Sequence, residues 1–326
     1  PDGEAWPARW AEAAAAFRQR HMPQPLGQGH LFRPDGDVQG LVVFVHGGYW
    51  MRFDPSLWSH LAAGPLAHGW AVALPAYTLA PAARIPGITQ EVARTIAQAA
   101  AAIAGPIALT GHSAGGHLAA RMICDDGTLP APLAARVSAC VPISGLFDLR
   151  PLMRTRLNDT LRLDPAEAAE VRALAVRYLG EEGENAPFRG AMAYCPGYNI
   201  EVAFRRARQP YNRMMARKLA RTFVTANAEA FSKLQTYNAC ASAPDLHAFH
   251  THLHEIAGYH SHADFLQASN PMVVMKQITI PLLVLNAEDD PVCVIGNVRE
   301  YESLVRDLPR TLLVITRRGS HCAYFE

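Results

Sequence analysis

The sequence predicts an α/β fold, a mostly parallel sheet with helices on both faces, and three observations carry that reading. Short apolar runs of strand length recur from Gly40 onward, each closed by glycine or a turn and followed by a helix-length amphipathic stretch. The chain has 326 residues, half of them apolar and 18% charged, enough to bury the core of one large α/β domain. A G-x-S-x-G motif straddles the boundary between one of these runs and the helix pattern that follows it.

In order, the runs are GLVVFVHGG (40–48), WAVALPAY (70–77), PIALTGHS (106–113), RVSACVPISG (136–145), GAMAYCPGY (190–198), IPLLVLNAEDD (280–290) and TLLVITRRGSH (311–321). Their continuous rather than alternating apolar character marks strands covered on both faces. Helices are expected near 56–67, 88–104, 115–125 and 296–306. Between about Asp148 and Asn270 the alternation gives way to polar and basic helical segments such as NRMMARKLARTF and NAEAFSKLQTYNA. The expectation is a single domain over 1–326, its core about 40–147 and 275–326, with a helical cap or insertion at about 148–274.

Thirty basic and twenty-nine acidic side chains leave a formal charge of +1, too little for a field that would hold nucleic acid. Six cysteines, Cys124, Cys140, Cys195, Cys240, Cys293 and Cys322, form no CxxC pair and no zinc-type Cys/His spacing. They read as buried thiols in a reducing compartment. No segment has a secretory h-region or the ~18 uninterrupted apolar residues of a membrane span, so a cytoplasmic protein is expected.

The chemistry-bearing motif is LTGHSAGGH (109–117). A strand that turns abruptly into a helix forces the residue at the turn into a strained conformation and lifts its side chain above the sheet. Ser113 is therefore the candidate nucleophile, with Gly111 and Gly115 where a Cβ would collide with neighbouring backbone. A phosphate-binding turn would need the lysine of GxxxxGK[ST], which is absent. Upstream, HGGYW (46–50) follows a strand directly, and its two glycines let backbone amides turn toward one point. Gly48 and Tyr49 N–H, with Ala114 N–H from the elbow, are the candidate donors to a tetrahedral oxyanion.

HGGYW, GHSAGGHLAARM and VPISGLFDLRPL together resemble the kynurenine formamidase (arylformamidase) group of α/β-hydrolases, especially its small bacterial members, from the N-terminal region to roughly Ala169. The resemblance implies the α/β-hydrolase fold, hydrolysis of N-formyl aromatic amides and related esters, and oxyanion amides at Gly48 and Tyr49. LGQGHLFRPDG is shorter than that group's pattern, which predicts the loss of an early edge strand.

In this fold the acid and then the base follow the serine in the chain. His321, alone at the end of the final strand run, is the expected base. Asp290, just before Pro291, is the expected acid, with Asp289 and Asp148 as rivals. YLGEEGENAPFRGAMAYCPGYNI, GYHSHADFLQASNP, PLLVLNAEDDPVCV and GSHCAYFE resemble ABHD-type lipase and acyltransferase-like hydrolases from about Tyr178 onward. The two resemblances imply a join near residues 170–177 with one strand position filled twice, by 136–145 and 190–198.

Weaker signals have plainer readings. His247, His250, His252, His254, His260 and His262 with Asp264 lack HExxH or any other metal spacing and read as a capping helical region, with no metal expected. Arg213, Arg217 and Arg221 form a helical stripe beside Tyr211, Met215 and Leu219, read as an exposed cap face before a membrane-binding one. Tyr49, Trp50, Phe53 and Trp58 form either an aromatic pocket wall or core packing, with Trp50 the pocket candidate.

The sequence thus predicts a cofactor-free serine hydrolase acting with water on a small acyl substrate, an aryl formamide or ester. The alternatives are a lipid acyl hydrolase or acyltransferase, and a folded but inactive protein or binding module.

Overall fold

The structure, a computed structural model, describes residues 6–124, 128–143, 145–146, 149–164, 175–185 and 190–321. The chain gathers into two compact units, Pro1–Phe147 with Thr160–Val171, and Asp148–Asp159 with Arg172–Glu326.

The first unit is built on six strands: β1 (Gln24–Leu26), β2 (Gly29–Phe32), β3 (Gly40–Val45), β4 (Trp70–Leu74), β5 (Ile107–His112) and β6 (Val137–Ile143). Their spatial order is β1-β2-β4-β3-β5-β6. The last four run parallel, while β1 and β2 form an antiparallel hairpin laid against β4. Leu41 and Val43 of the central β3 are fully buried, as the continuous apolar run requires.

Three helices bear on the site or its sheet: α1 (Trp6–Arg20), α2 (Ile85–Ala102) and α3 (Ala114–Arg121). On α2 the buried Ile85, Ile88, Val92, Ile96 and Ala99 recur every three or four residues, one apolar stripe, and a proline in its first turn suits a position whose N–H has no helical partner.

Two expectations change here. The edge strand predicted to be lost is present as the β1–β2 hairpin. Gly27 takes a left-handed φ of +58° in its two-residue turn, so strands of three and four residues suffice to pair. The helix expected at 56–67 begins as a 3-10 turn, Pro55–Ala62, before the α-helical Ala63–Ala67. Asp54 accepts a hydrogen bond from Ser56 N at 2.8 Å and starts it.

The second unit holds β7 (Ala191–Tyr194), β8 (Leu282–Ala287) and β9 (Thr311–Thr316), parallel in the order β7-β8-β9, with helix α4 (Ile295–Arg306) joining the last two. Leu179, Tyr198, Leu282, Val284, Val298, Val305 and Leu313 make its core. The helices of residues 200–269 carry a second apolar cluster around Val224, Phe231, Cys240, Phe249 and Ile256.

The run pattern reads as one sheet, whereas the described strands make two. In the first, β6 lies along β5; in the second, β7 pairs in parallel with β8. Among the described residues no helix is long and apolar enough to cross a membrane.

Candidate active site

In the first unit β5 ends at His112 and α3 starts at Ala114, leaving Ser113 as the single turning residue. Its backbone sits at φ 56°, ψ −119°, a region that costs a non-glycine residue about 1–3 kcal/mol. Glycine makes the turn feasible. A Cβ on Gly111 would meet Val45 O at 2.8 Å, one on Gly115 would meet the His46 carbonyl oxygen, and one on Gly116 would stand 2.9 Å from Gly145 Cα. Main chain from β3, β5 and α3 therefore packs directly on main chain. Ser113 N donates to Ile143 O at 2.8 Å, which ties the elbow to β6. Ser113 itself is half-buried.

The loop after β3 lies against this elbow, because a Cβ on Gly47 would meet His112 O at 2.6 Å and Ser113 Cβ at 3.1 Å. Gly48, Tyr49 and Trp50 take successive positive φ values of 114°, 53° and 58°, so the chain reverses tightly here. Ala114, buried, opens α3, where the N–H groups have no intrahelical acceptor and the helix dipole is positive.

Beneath the loop, His46 is buried and stacked on Tyr77 at 4.3 Å, and Tyr77 OH donates to His46 O at 3.0 Å. Burial holds the His46 imidazole below its usual value against the hydrogen bond with Gly47 O and the nearby Asp54 carboxylate. Tyr77 is a supporting residue the sequence reading missed. Its signal was the position at the end of WAVALPAY, the strand run next to β3.

Trp50 departs from expectation. It is fully buried with its ring edge-on to His117 at 5.2 Å, so it packs the core beneath the loop rather than lining a pocket. Its motif position gave the loop but not the direction of the ring. Tyr49 and Phe53, 43% and 50% exposed, are the open aromatic surfaces near the loop. His117 is itself buried, and desolvation followed by the charge of Arg121 pushes it down to about 3.

In the second unit the acid and base candidates meet. Asp290, fully buried after β8, presents Oδ2 to His321 Nδ1 at 3.0 Å. Its Oδ1 accepts from Val292 N at 2.7 Å and Cys293 N at 2.9 Å. Burial opposes its ionisation, but the His321 hydrogen bond, these two amides and the imidazole's charge together hold its carboxyl below the usual range. For His321 the Asp290 hydrogen bond leads, outweighs burial, and raises the imidazole above its ordinary value.

The rival Asp289 is engaged elsewhere, where its Oδ1 accepts from Ser320 N at 2.8 Å and anchors the loop carrying His321. Asp148 lies outside the described residues, as does Cys322. Cys195, Cys240 and Cys293 are buried and Cys124 and Cys140 half-buried, all as reduced thiols.

The remaining signals fall on the helical part of the second unit. His250 is buried between Phe204 and Phe265, at 4.9 and 4.8 Å, and burial, then His262 and His247, pushes it down to about 4. Ser261 caps the helix His262–Ser269 by accepting from Asp264 N at 3.1 Å. Arg213, Arg217 and Arg221 line a groove of about 520 Å³ with Ala220, Thr225 and residues 241–244. Met215 instead packs inward with Ala207, Ala216 and Leu246.

A parallel α/β sheet whose strand-to-helix elbow carries a left-handed serine defines a class of protein, the α/β hydrolases. The chain belongs to the alpha/beta hydrolase fold family, whose model matches residues 42–233, a span that includes the HGGYW loop and Ser113. It is 30% identical over 181 residues to a kynurenine formamidase of Danio rerio, covering 52% of this chain and 60% of that one. With the kynurenine formamidase of Salmo salar it shares 33% over 163 residues, 47% of this chain and 54% of that one. The chain thus spans little more than half the length of these curated relatives. A crystal structure from Silicibacter sp. TM1040, provisionally described as a thioesterase, is 49% identical over 52% of this chain and 68% of that chain, with a TM-score of 0.49. The comparisons lend no support to the ABHD likeness of the downstream half or to a join near 170–177.

Proposed function

We propose that this chain is a serine hydrolase of small acyl compounds, an aryl formamide or carboxylic ester, working through an acyl-enzyme. The observation that carries the reading is the left-handed Ser113 at a glycine-walled elbow, a strained position for a residue with a side chain.

In this mechanism Ser113 Oγ attacks the carbonyl carbon while His321 takes its proton. Asp290 fixes the imidazole tautomer through Nδ1 and stabilises the imidazolium. Gly48, Tyr49 and Ala114 N–H groups hold the oxyanion, each contributing about 2.7–4 kcal/mol. Collapse expels the amine or alcohol with the proton from His321. Water, activated by the same imidazole, then releases the acid and regenerates the serine. The same reading keeps a single hydrolase domain over 1–326, with core segments 40–147 and 275–326 and residues 148–274 as a helical insertion. Tyr49 and Phe53, the exposed aromatics beside the loop, suit an aryl group.

The names of the curated relatives support formamides as substrates to try first. A fluorophosphonate probe tests the class: labelling that disappears in Ser113→Ala is expected, and folded wild-type protein that takes no label overturns it. N-formylkynurenine, short p-nitrophenyl esters, a short acyl thioester and long-chain glycerides then rank the substrates. A clear preference for glycerides replaces the small-acyl reading with a lipid hydrolase.

A further inference from the structure

At the carboxyl edge of the second sheet three donor side chains of different chemistry converge. β7, β8 and β9 run parallel and abreast, Tyr194 opposite Leu285 and Leu285 opposite Val314, so the residues that leave them share one edge. Cys195 follows β7 directly and extends the ladder by donating its N–H to Leu285 O at 2.8 Å. The Cys195 sulfur, an Asp290 carboxylate oxygen and a ring nitrogen of His321 all lie within 4.8 Å of one another. Among the described residues this is the one group of three such donors, and the histidine-rich stretch makes none.

We propose that Cys195, Asp290 and His321 bind a thiophilic divalent cation of the zinc type, and that its binding removes His321 as a base. A tetrahedral zinc ion holds sulfur at about 2.3 Å and nitrogen and oxygen at about 2.0–2.2 Å, which sets donors roughly 3.5 Å apart. Side-chain shifts of about an ångström, drawing the sulfur in and parting the 3.0 Å Asp290–His321 pair, bring the donors to that spacing. The thiolate and imidazole select zinc-like ions over magnesium or calcium. Asp290 is already oriented by the Val292 and Cys293 amides, the kind of outer support that fixes a ligand. Cys195 and Asp290 are buried while His321 is exposed, so the cation enters past the imidazole and a water completes its shell.

On binding, the thiol proton is released to solvent and the cation takes the single lone pair of the neutral imidazole. With either ring nitrogen ligated, none is left to accept a proton. This inhibition rests on the role given to His321 above, but the binding does not.

Cobalt(II) added to the purified full chain is the probe. The expected result is a thiolate-to-cobalt charge-transfer band with the visible bands of a tetrahedral ion, saturating at one equivalent and bleached by zinc. Cys195→Ser should lose the charge-transfer band and weaken zinc binding at least about 100-fold, the upper end of what an outer-shell change costs. Asp290→Asn should keep the band and bind more weakly. A spectrum without thiolate character, or the same band in Cys195→Ser, overturns the site. Should Cys195→Ser fail to melt cooperatively, iodoacetamide labelling of wild-type Cys195 decides: zinc should slow it, and unslowed labelling rejects the proposal. Zinc binding seen by cobalt without loss of ester turnover keeps the site and refutes His321 as base.

Discussion

Ser113 and His321 are held in their units by opposite means. Around the serine, backbone presses on backbone: Gly47, Gly111, Gly115 and Gly116 each stand where a single added carbon would strike a carbonyl or α-carbon of a neighbouring element. Around the imidazole, two successive aspartates act through side chains, Asp290 on the ring and Asp289 on the Ser320 amide before it. The contrast teaches that a strand-to-helix elbow is sensitive to volume, whereas a carboxylate–imidazole pair is sensitive to charge and hydrogen bonding.

The strongest break of that contrast comes from the residues given chemical roles in the proposal. Ser113→Ala should lower kcat/KM for the best ester or formamide by at least about 10⁴-fold with the thermal melt retained, because the residual rate comes from oxyanion and substrate binding alone. Asp290→Asn should cost about 10⁴-fold, as it presents the wrong tautomer to His321. It should also change the pH profile. If His321 is the base it works unprotonated, so the wild-type rate should climb with pH through a His321 value raised above 6.5, and losing the carboxylate should move that limb to lower pH. A profile that keeps its position in the variant breaks the assignment.

Volume tests come next. Gly115→Ala should destabilise the protein by about 1–3 kcal/mol, since the new methyl meets the Val45 and His46 carbonyls. Gly197→Ala in the second unit meets nothing closer than 3.9 Å and should stay within about 0.5 kcal/mol of wild type. Equal melts for the two variants would erase the contrast.

The smallest effect is electrostatic. His321, raised in the folded state, contributes stability that is full below its unfolded value near 6.5 and is lost as pH rises through its folded value. Asp290, lowered, contributes stability present above its unfolded value near 3.8 and lost as pH falls through its folded value. The pair therefore helps most between these limits. Because His321 is partly solvated, the change from pH 6 to 8.5 should be under about 1 kcal/mol and absent in His321→Gln.

What the sequence disclosed follows the same division. Strand runs and the glycine pattern were legible because backbone sterics write themselves into residue type, so β3 to β9 fall inside the apolar runs and Ser113 at the turn. Asp290 was favoured over Asp289 only by its place before Pro291, since adjacent residues at a strand end differ chiefly in which way they point. Trp50 was misplaced for a related reason: membership of HGGYW says nothing of whether an indole faces in or out. Cys195 carried no motif at all. Only the pairing of β7 with β8, which sets Ala191 opposite the distant Leu282, brings it near Asp290.

One feature of the first sheet bears on handling. Among the described residues β6 is its last strand, and Val141 and Ile143 on it are each 43% exposed. An outermost strand with greasy side chains is a template on which another extended chain can zip. A formal charge of +1 supplies almost no long-range repulsion between molecules. Concentrated stocks should therefore clump on gentle warming before the fold itself melts, and Val141→Lys is the natural gatekeeper.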